Sequence, residues 1–146
     1  MVEMNKQAKL SEHFSLGELT RSKSHPEVYN IPSRVHIENL KRVCVWLEAL
    51  RERYNEPIII TSGYRSAELN RKVGGVATSN HLTGCAVDIR VAGKEQLIRY
   101  ACILLDYADE TKQDFDEILL EHGANGVIWL HFAVRPQGNR RKINFL

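Results

Sequence analysis

The sequence predicts an α+β fold: a two-layer sandwich of helices on a mainly antiparallel sheet. Three observations predict it. Two long stretches, 34–54 and 93–108, carry apolar residues near helical spacing. Four short runs rich in β-branched and other apolar residues, 58–61, 85–91, 115–121 and 127–134, read as strands. The last two are separated only by His122-Gly123-Ala124-Asn125-Gly126, a hairpin-like loop. Helices first, then strands returning in adjacent pairs, argue for two layers sharing one core. At 146 residues the chain is one domain, 1–146, with 1–12 and 138–146 expected as loose ends.

Ser15-Leu16-Gly17-Glu18 fits a capping box, so a short helix is expected through about residue 22. Ser22 to Pro26 reads as loop, with His25 on the surface. Ser33 is a good N-cap for the helix over 34–54, whose buried stripe is Val35, Leu40, Val43, Leu47, Leu50 and Tyr54. Its charged residues form an ordinary solvated face, to which His36 also belongs. Asn55-Glu56-Pro57 stops that helix, and Pro57 opens the strand Ile58-Ile59-Ile60-Thr61. Ser62-Gly63-Tyr64-Arg65 follows as a turn, with Tyr64 read as a packing residue. Ser66 caps a short helix over 66–73, which Gly74-Gly75 ends. The helix over 93–108 buries Leu97, Ile98, Ala101, Cys102, Leu104, Leu105 and Ala108. Residues 136–146 form a basic tail with Arg140, Arg141 and Lys142, following Arg135.

Composition narrows the function classes. Hydrophobic content of 43% and charged content of 26% are ordinary for a globular chain, and a net charge of +2 is too small to imply a nucleic-acid partner. No run approaches the ~18 apolar residues of a membrane span, and the first residues lack the apolar core of a signal peptide. The expectation is a monomer made without a signal peptide and kept soluble in the cytoplasm, which would need a release route to act outside the cell. Cys44, Cys85 and Cys102 are odd in number and show no C-x-x-C spacing, so no disulfide framework is implied; Cys44 and Cys102 read as buried thiols.

The chemistry is concentrated in Ser79-Asn80-His81-Leu82-Thr83-Gly84-Cys85-Ala86-Val87-Asp88. On the strand that follows Gly84, Ala86, Asp88 and Arg90 share one face while Cys85, Val87, Ile89 and Val91 share the other. A turn at Thr83-Gly84 can bring His81 back beside Asp88. One histidine and one aspartate are two-thirds of an open zinc site, which takes three protein ligands and leaves a position for water. His131 is polar in the otherwise apolar run Val127 to Val134 and supplies the missing donor. Cys85 is a softer ligand that can compete for zinc, but on a strand it faces away from Asp88.

These residues resemble the zinc-binding pattern of the peptidase M15 family: His81, Asp88 and the Trp129-Leu130-His131 block. Phe14 to Ser22 resembles the N-terminal segment of the small single-domain branch of that family, which is common in bacterial and prophage genomes. Thr61-Ser62-Gly63-Tyr64-Arg65-Ser66, with Asn70 and Gly74-Gly75, resembles its S-G-Y-R-S…N…G-G block. The resemblance covers most of the chain. It implies the fold shared by D-Ala-D-Ala peptidases and the hedgehog signalling domain. It also implies one Zn2+ held by His81, Asp88 and His131, an arginine, Arg65, directed at the substrate carbonyl or carboxylate, and Ser79 orienting substrate or ligands. The implied substrate is a D-amino-acid-containing peptide of peptidoglycan, cut by a carboxypeptidase or by an endopeptidase of the endolysin kind.

One position departs from the pattern. Many M15 peptidases carry an acid three residues before the last histidine as general base; here that residue is Ile128. Glu121, at the end of the partner strand, is the nearest acidic substitute, with His122 beside it as a weaker one. Two function classes stay open: a zinc peptidase acting on cell wall, and a zinc-stabilised, non-catalytic module binding cell wall or a protein partner. The intact ligand set favours the first and Ile128 the second.

Overall fold

Ser33 starts the longest helix, α1 (Arg34–Tyr54), by accepting the His36 backbone N–H, while His36 Nδ1 accepts the Ser33 N–H. This is a computed structural model describing residues 4–145. Asn55 ends α1 in the left-handed region at φ 61°. There follow β1 (Ile60–Ser62), α2 (Ala67–Lys72), a 3-10 turn (Asn80–Thr83), β2 (Ala86–Arg90), α3 (Lys94–Thr111), β3 (Glu117–His122), β4 (Ile128–Ala133) and β5 (Lys142–Asn144).

The strands form one sheet in the order β1-β2-β4-β3-β5. The pairings β1–β2, β2–β4 and β3–β4 are antiparallel, but β3–β5 is parallel, so the sheet is mixed. The reason is topological. A single reversal after β4 returns the chain antiparallel to β4 and hence parallel to β3, and β3 offers the free edge because β2 already occupies the far side of β4. The expected tail thus supplies an edge strand, through the Lys142 and Arg141 N–H groups donating to Asp116 and Phe115 carbonyls.

Alternation divides the sheet into two faces. Val87, Ile89, Ile118, Leu130 and Phe132 join the core with α1 and α3. Trp46 stands at its centre, packed edge-on against Tyr107 and Phe115 and tilted against Phe132. The opposite face carries Asp88, His131, Glu117, Leu119 and Glu121, which line a groove.

Several local expectations need correction. Val35 is 67% exposed, because it lies about 140° around α1 from Leu40 at 100° per residue. On α3 the buried residues are Leu97, Tyr100, Ala101, Leu104 and Ala108. Ile98 and Cys102 each sit one step off that stripe and are exposed. The Ser15–Glu18 hydrogen bonds form, but only turns follow. The Leu19 carbonyl, which a helix would need, accepts the Tyr64 N–H at 2.8 Å instead. His36 is not free on the surface; besides its capping bond it stacks on buried Tyr64 with ring centroids 4.6 Å apart.

Residues 1–3 and 146, within the segments expected to be loose, lie outside the described residues. Of the described N-terminal residues, Ala8 accepts the Leu16 N–H at 2.7 Å, and Ser11 and His13 bind Glu48. No helix among the described residues is long and apolar enough to cross a membrane.

Candidate metal centre

The site begins with how His81 is aimed. Ser79 caps the 3-10 turn, its Oγ accepting the His81 N–H at 3.1 Å. Gly84 closes the turn at φ 78°, where an L side chain would be strained, and an added Cβ would stand 2.7 Å from the His36 carbonyl oxygen. His81 is thereby folded back over β2. Its Nδ1 lies 2.7 Å from the Gly63 carbonyl oxygen, and its Nε2 lies 3.2 Å from Asp88 Oδ1. A carbonyl can only accept, so Nδ1 donates to it, which leaves Nε2 as the nitrogen that faces Asp88.

Asp88 and His131 are opposed in the β2–β4 register. His131 Nδ1 lies 3.2 Å from the same Asp88 oxygen, and His131 Nε2 lies 2.9 Å from Glu117 Oε1. His81, Asp88 and His131 are all buried, and one potential ligand atom from each lies within 4.8 Å of the others, a grouping that could hold a metal ion. Both histidines have their second nitrogen tied to an acceptor outside the cluster, the arrangement that orients imidazole ligands. Two imidazoles and one carboxylate converging with a fourth direction facing a groove fit a catalytic zinc site. Cys85 is buried on the other face of the strand and stays outside the grouping.

The charges are strongly coupled. Burial alone would raise the Asp88 carboxyl, but the two histidines hold it below the usual carboxylate range. Burial alone would lower His131, yet hydrogen bonds to Asp88, Glu117 and Glu121 push it far above its ordinary value.

Around this centre the other expected residues fall as follows. Arg65 reaches it from the turn after β1. Its Nη2 is 3.5 Å from Asp88 Oδ2, while Nη1 donates to Asn70 Oδ1 at 2.9 Å and Nε to Ser62 Oγ at 3.2 Å. Glu121 lies on the groove face of β3, with Oε1 3.3 Å from His131 Nδ1. Ile128 is partly buried against the core. Three residues before His131 on a strand is the opposite face, so an acid there would point away from the groove. The adjacent strand can deliver a carboxylate instead, and Glu121 is so placed. The structure puts Ser79 at a helix cap lining the groove.

Sequence reasoning missed Glu117 and what stands behind it. Glu117 Oε1 also accepts from Asn80 Nδ2 at 2.7 Å, and Glu117 Oε2 is 3.3 Å from Arg140 Nη2. Fully buried Asp116 receives two hydrogen bonds from the Arg140 guanidinium and one from Asn80, and Arg135 Nε lies 3.2 Å away. Burial alone would raise the Asp116 carboxyl, but the bonds from Arg140 and Asn80 hold it at about 2. Parity offered a signal: Glu117 and Glu121 are four apart on one strand, hence on one face.

A two-histidine, one-carboxylate cluster on the open face of an α+β sheet could hold a metal ion and fits a metal-dependent hydrolase. The peptidase M15 family model matches residues 12–113, and the chain belongs to the peptidase M15 family. Arg65, Ser79, His81 and Asp88 fall inside the matched span; Glu117, Glu121 and His131 lie beyond it. No curated protein matches the chain.

Proposed function

We propose that the chain is a zinc metallopeptidase that hydrolyses a D-amino-acid-containing peptide bond in peptidoglycan, acting as a monomer in the manner of a carboxypeptidase or endopeptidase. The observation that carries this reading is Glu121 Oε1, 3.3 Å from the His131 nitrogen that also faces Asp88. A carboxylate beside a three-ligand cluster is what a hydrolase needs and a structural site does not.

His81 through Nε2, Asp88 through Oδ1 and His131 through Nδ1 would hold the ion. Zinc bound there supplies Lewis acidity to a scissile carbonyl and to water at neutral pH. Glu121 orients the attacking water, takes its proton and passes it to the leaving amine. Arg65 is held by Ser62, Asn70 and Asp88, which fixes its fork for a substrate carbonyl or carboxylate. The Gly63 carbonyl and Glu117 keep the two imidazoles in their ligating tautomers.

The test is hydrolysis of purified peptidoglycan and short muropeptides, read by mass spectrometry with zinc and with chelator. A zinc-dependent new amine at one defined bond is expected, and Glu121→Gln should reduce the rate at least 100-fold while binding zinc. No cleavage by the folded, zinc-loaded protein would point instead to a non-catalytic wall-binding or protein-binding module, the reading that Ile128 favours.

A further inference from the structure

The groove over the sheet is cationic at both ends. On the β1 side stands Arg65; on the β5 side stand Arg135, Arg140 and Lys142. Arg140 is used internally, its guanidinium shared between Asp116 and Glu117. That bond anchors the chain beside β3 and sets the parallel register Glu117↔Lys142. Paired residues of neighbouring strands face the same side, so Lys142 projects from the same face as Glu117, over the groove. Among the described residues the Lys142 ammonium has no hydrogen-bond or ion-pair partner, although Glu117 and Glu121 line the same groove. Arg135 spends only Nε, on Asn80 and Asp116, leaving its two terminal nitrogens uncommitted among the described residues.

Distances along the sheet define what would meet these cations. Neighbouring strands lie about 4.8 Å apart, so β5 is about 10 Å from the strand that carries His131. An extended peptide advances about 3.3 Å per residue. Lys142 pairs with Glu117, and Glu117 with Ala133, two residues along β4 from His131, which adds about 7 Å along the strands. The separation is thus about 12 Å, and a chain crossing from the ligand cluster reaches Lys142 at about its third or fourth residue.

We propose, resting on the peptidase reading above, that Lys142 and Arg135 form a second carboxylate-binding subsite. It recognises an acidic group about three residues from the scissile bond, on the side away from Arg65. The preferred substrate class is thus a peptide with carboxylates flanking the cleaved bond, and the C-terminal strand is a specificity element as well as an edge.

The experiment uses two muropeptides identical except that the distal acidic group is a free carboxylate in one and a carboxamide in the other. For the zinc-loaded wild type, kcat/KM is expected to favour the carboxylate about three- to tenfold, through KM and more weakly at high salt, as for a partly exposed ion pair. In Lys142→Met that ratio should fall to near one, and in Lys142→Glu it should invert, with melting temperatures showing that both variants fold. Equal use of the two peptides by the wild type, or an undiminished preference in Lys142→Met, overturns the subsite. If neither peptide is cut, the peptidase reading fails by itself, and the same pair is compared by fluorescence anisotropy of labelled peptide. A carboxylate preference in binding that Lys142→Met abolishes upholds the subsite; equal or absent binding overturns it.

Discussion

Glu117 should set the zinc affinity of the centre without touching the ion. Its Oε1 receives both His131 Nε2 at 2.9 Å and Asn80 Nδ2 at 2.7 Å, and its other oxygen faces Arg140. Burial alone would raise this carboxyl, yet the bonds from His131 and Asn80 keep it below its ordinary value, so it meets the imidazole as an anion. Glu117→Gln keeps the shape and loses the charge. Its amide NH2 must then face either Arg140 or the two donors, so one side is mismatched in any rotamer. A hydrogen bond to a charged acceptor is worth about twice a neutral one, a difference of about 1–1.5 kcal/mol, or about five- to tenfold in zinc affinity. Glu117→Leu removes the acceptor altogether and frees the ring to turn or change tautomer. The expected loss is up to about 100-fold, the upper range for partners of metal-bound histidines. The assay is zinc affinity by competition with a chromophoric chelator at fixed pH, on variants whose melting in chelator shows them folded. A folded Glu117→Leu variant within twofold of wild type would refute the reasoning.

Other perturbations have equally definite outcomes. His131→Ala should abolish zinc retention through gel filtration, and a zinc content equal to wild type would remove His131 from the ligand set. The Asp116 carboxyl is depressed from 3.8 to about 2 in the folded protein. Its contribution of about 2 kcal/mol is thus present above pH ~3.8 and lost as pH falls through ~2, and urea melts of wild type and Asp116→Asn should converge across that window. Gly63→Ala would drive a Cβ into the Leu19 carbonyl oxygen and move the Gly63 oxygen that holds His81. It should cost about 3 kcal/mol or more in denaturant melts and weaken zinc binding as well. A thiol reagent should modify Cys102 rapidly in the native protein. It should spare buried Cys85 and also Cys44, whose thiol burial pushes up to about 12.

The two long helices and the His81–Asp88–His131 grouping were legible because each depends on local pattern. Ser33 and Asn55-Glu56-Pro57 bracket α1, and alternation around Asp88 and His131 sorts ligands from core without knowing which strands pair. The groove was less legible because it is made by pairing. That Glu121 stands beside His131 follows from the β3–β4 register, in which Leu119 faces His131 and Glu121 faces Trp129. Glu117 was overlooked because its partners, Asn80 and Arg140, lie 37 and 23 residues away along the chain. The basic tail offered only charge. Its place in the sheet depends on Asp116, a buried carboxylate whose partners come from two separate segments, the 3-10 turn and the connection between β4 and β5. Val35, Ile98 and Cys102 were misassigned because apolar character alone does not fix angular position on a helix.

The facing of Asp88 and His131 across β2 and β4 has a further consequence. A one-residue slip of β2 against β4 would carry Asp88 to the core side and bring Val87 and Ile89 out to water, and a slip of β4 would do the same to His131, Leu130 and Phe132, so either slip separates the two residues and breaks the core. Register of the core and assembly of the centre are therefore one event, enforced by hydrocarbon rather than by metal. The protein should complete its fold with the donors already in place, and the ion should arrive last, at a finished socket. None of its binding energy then goes into ordering chain, so the rise in unfolding free energy with free zinc should follow simple mass action, RT ln(1 + [Zn]/Kd), without a change in folding cooperativity.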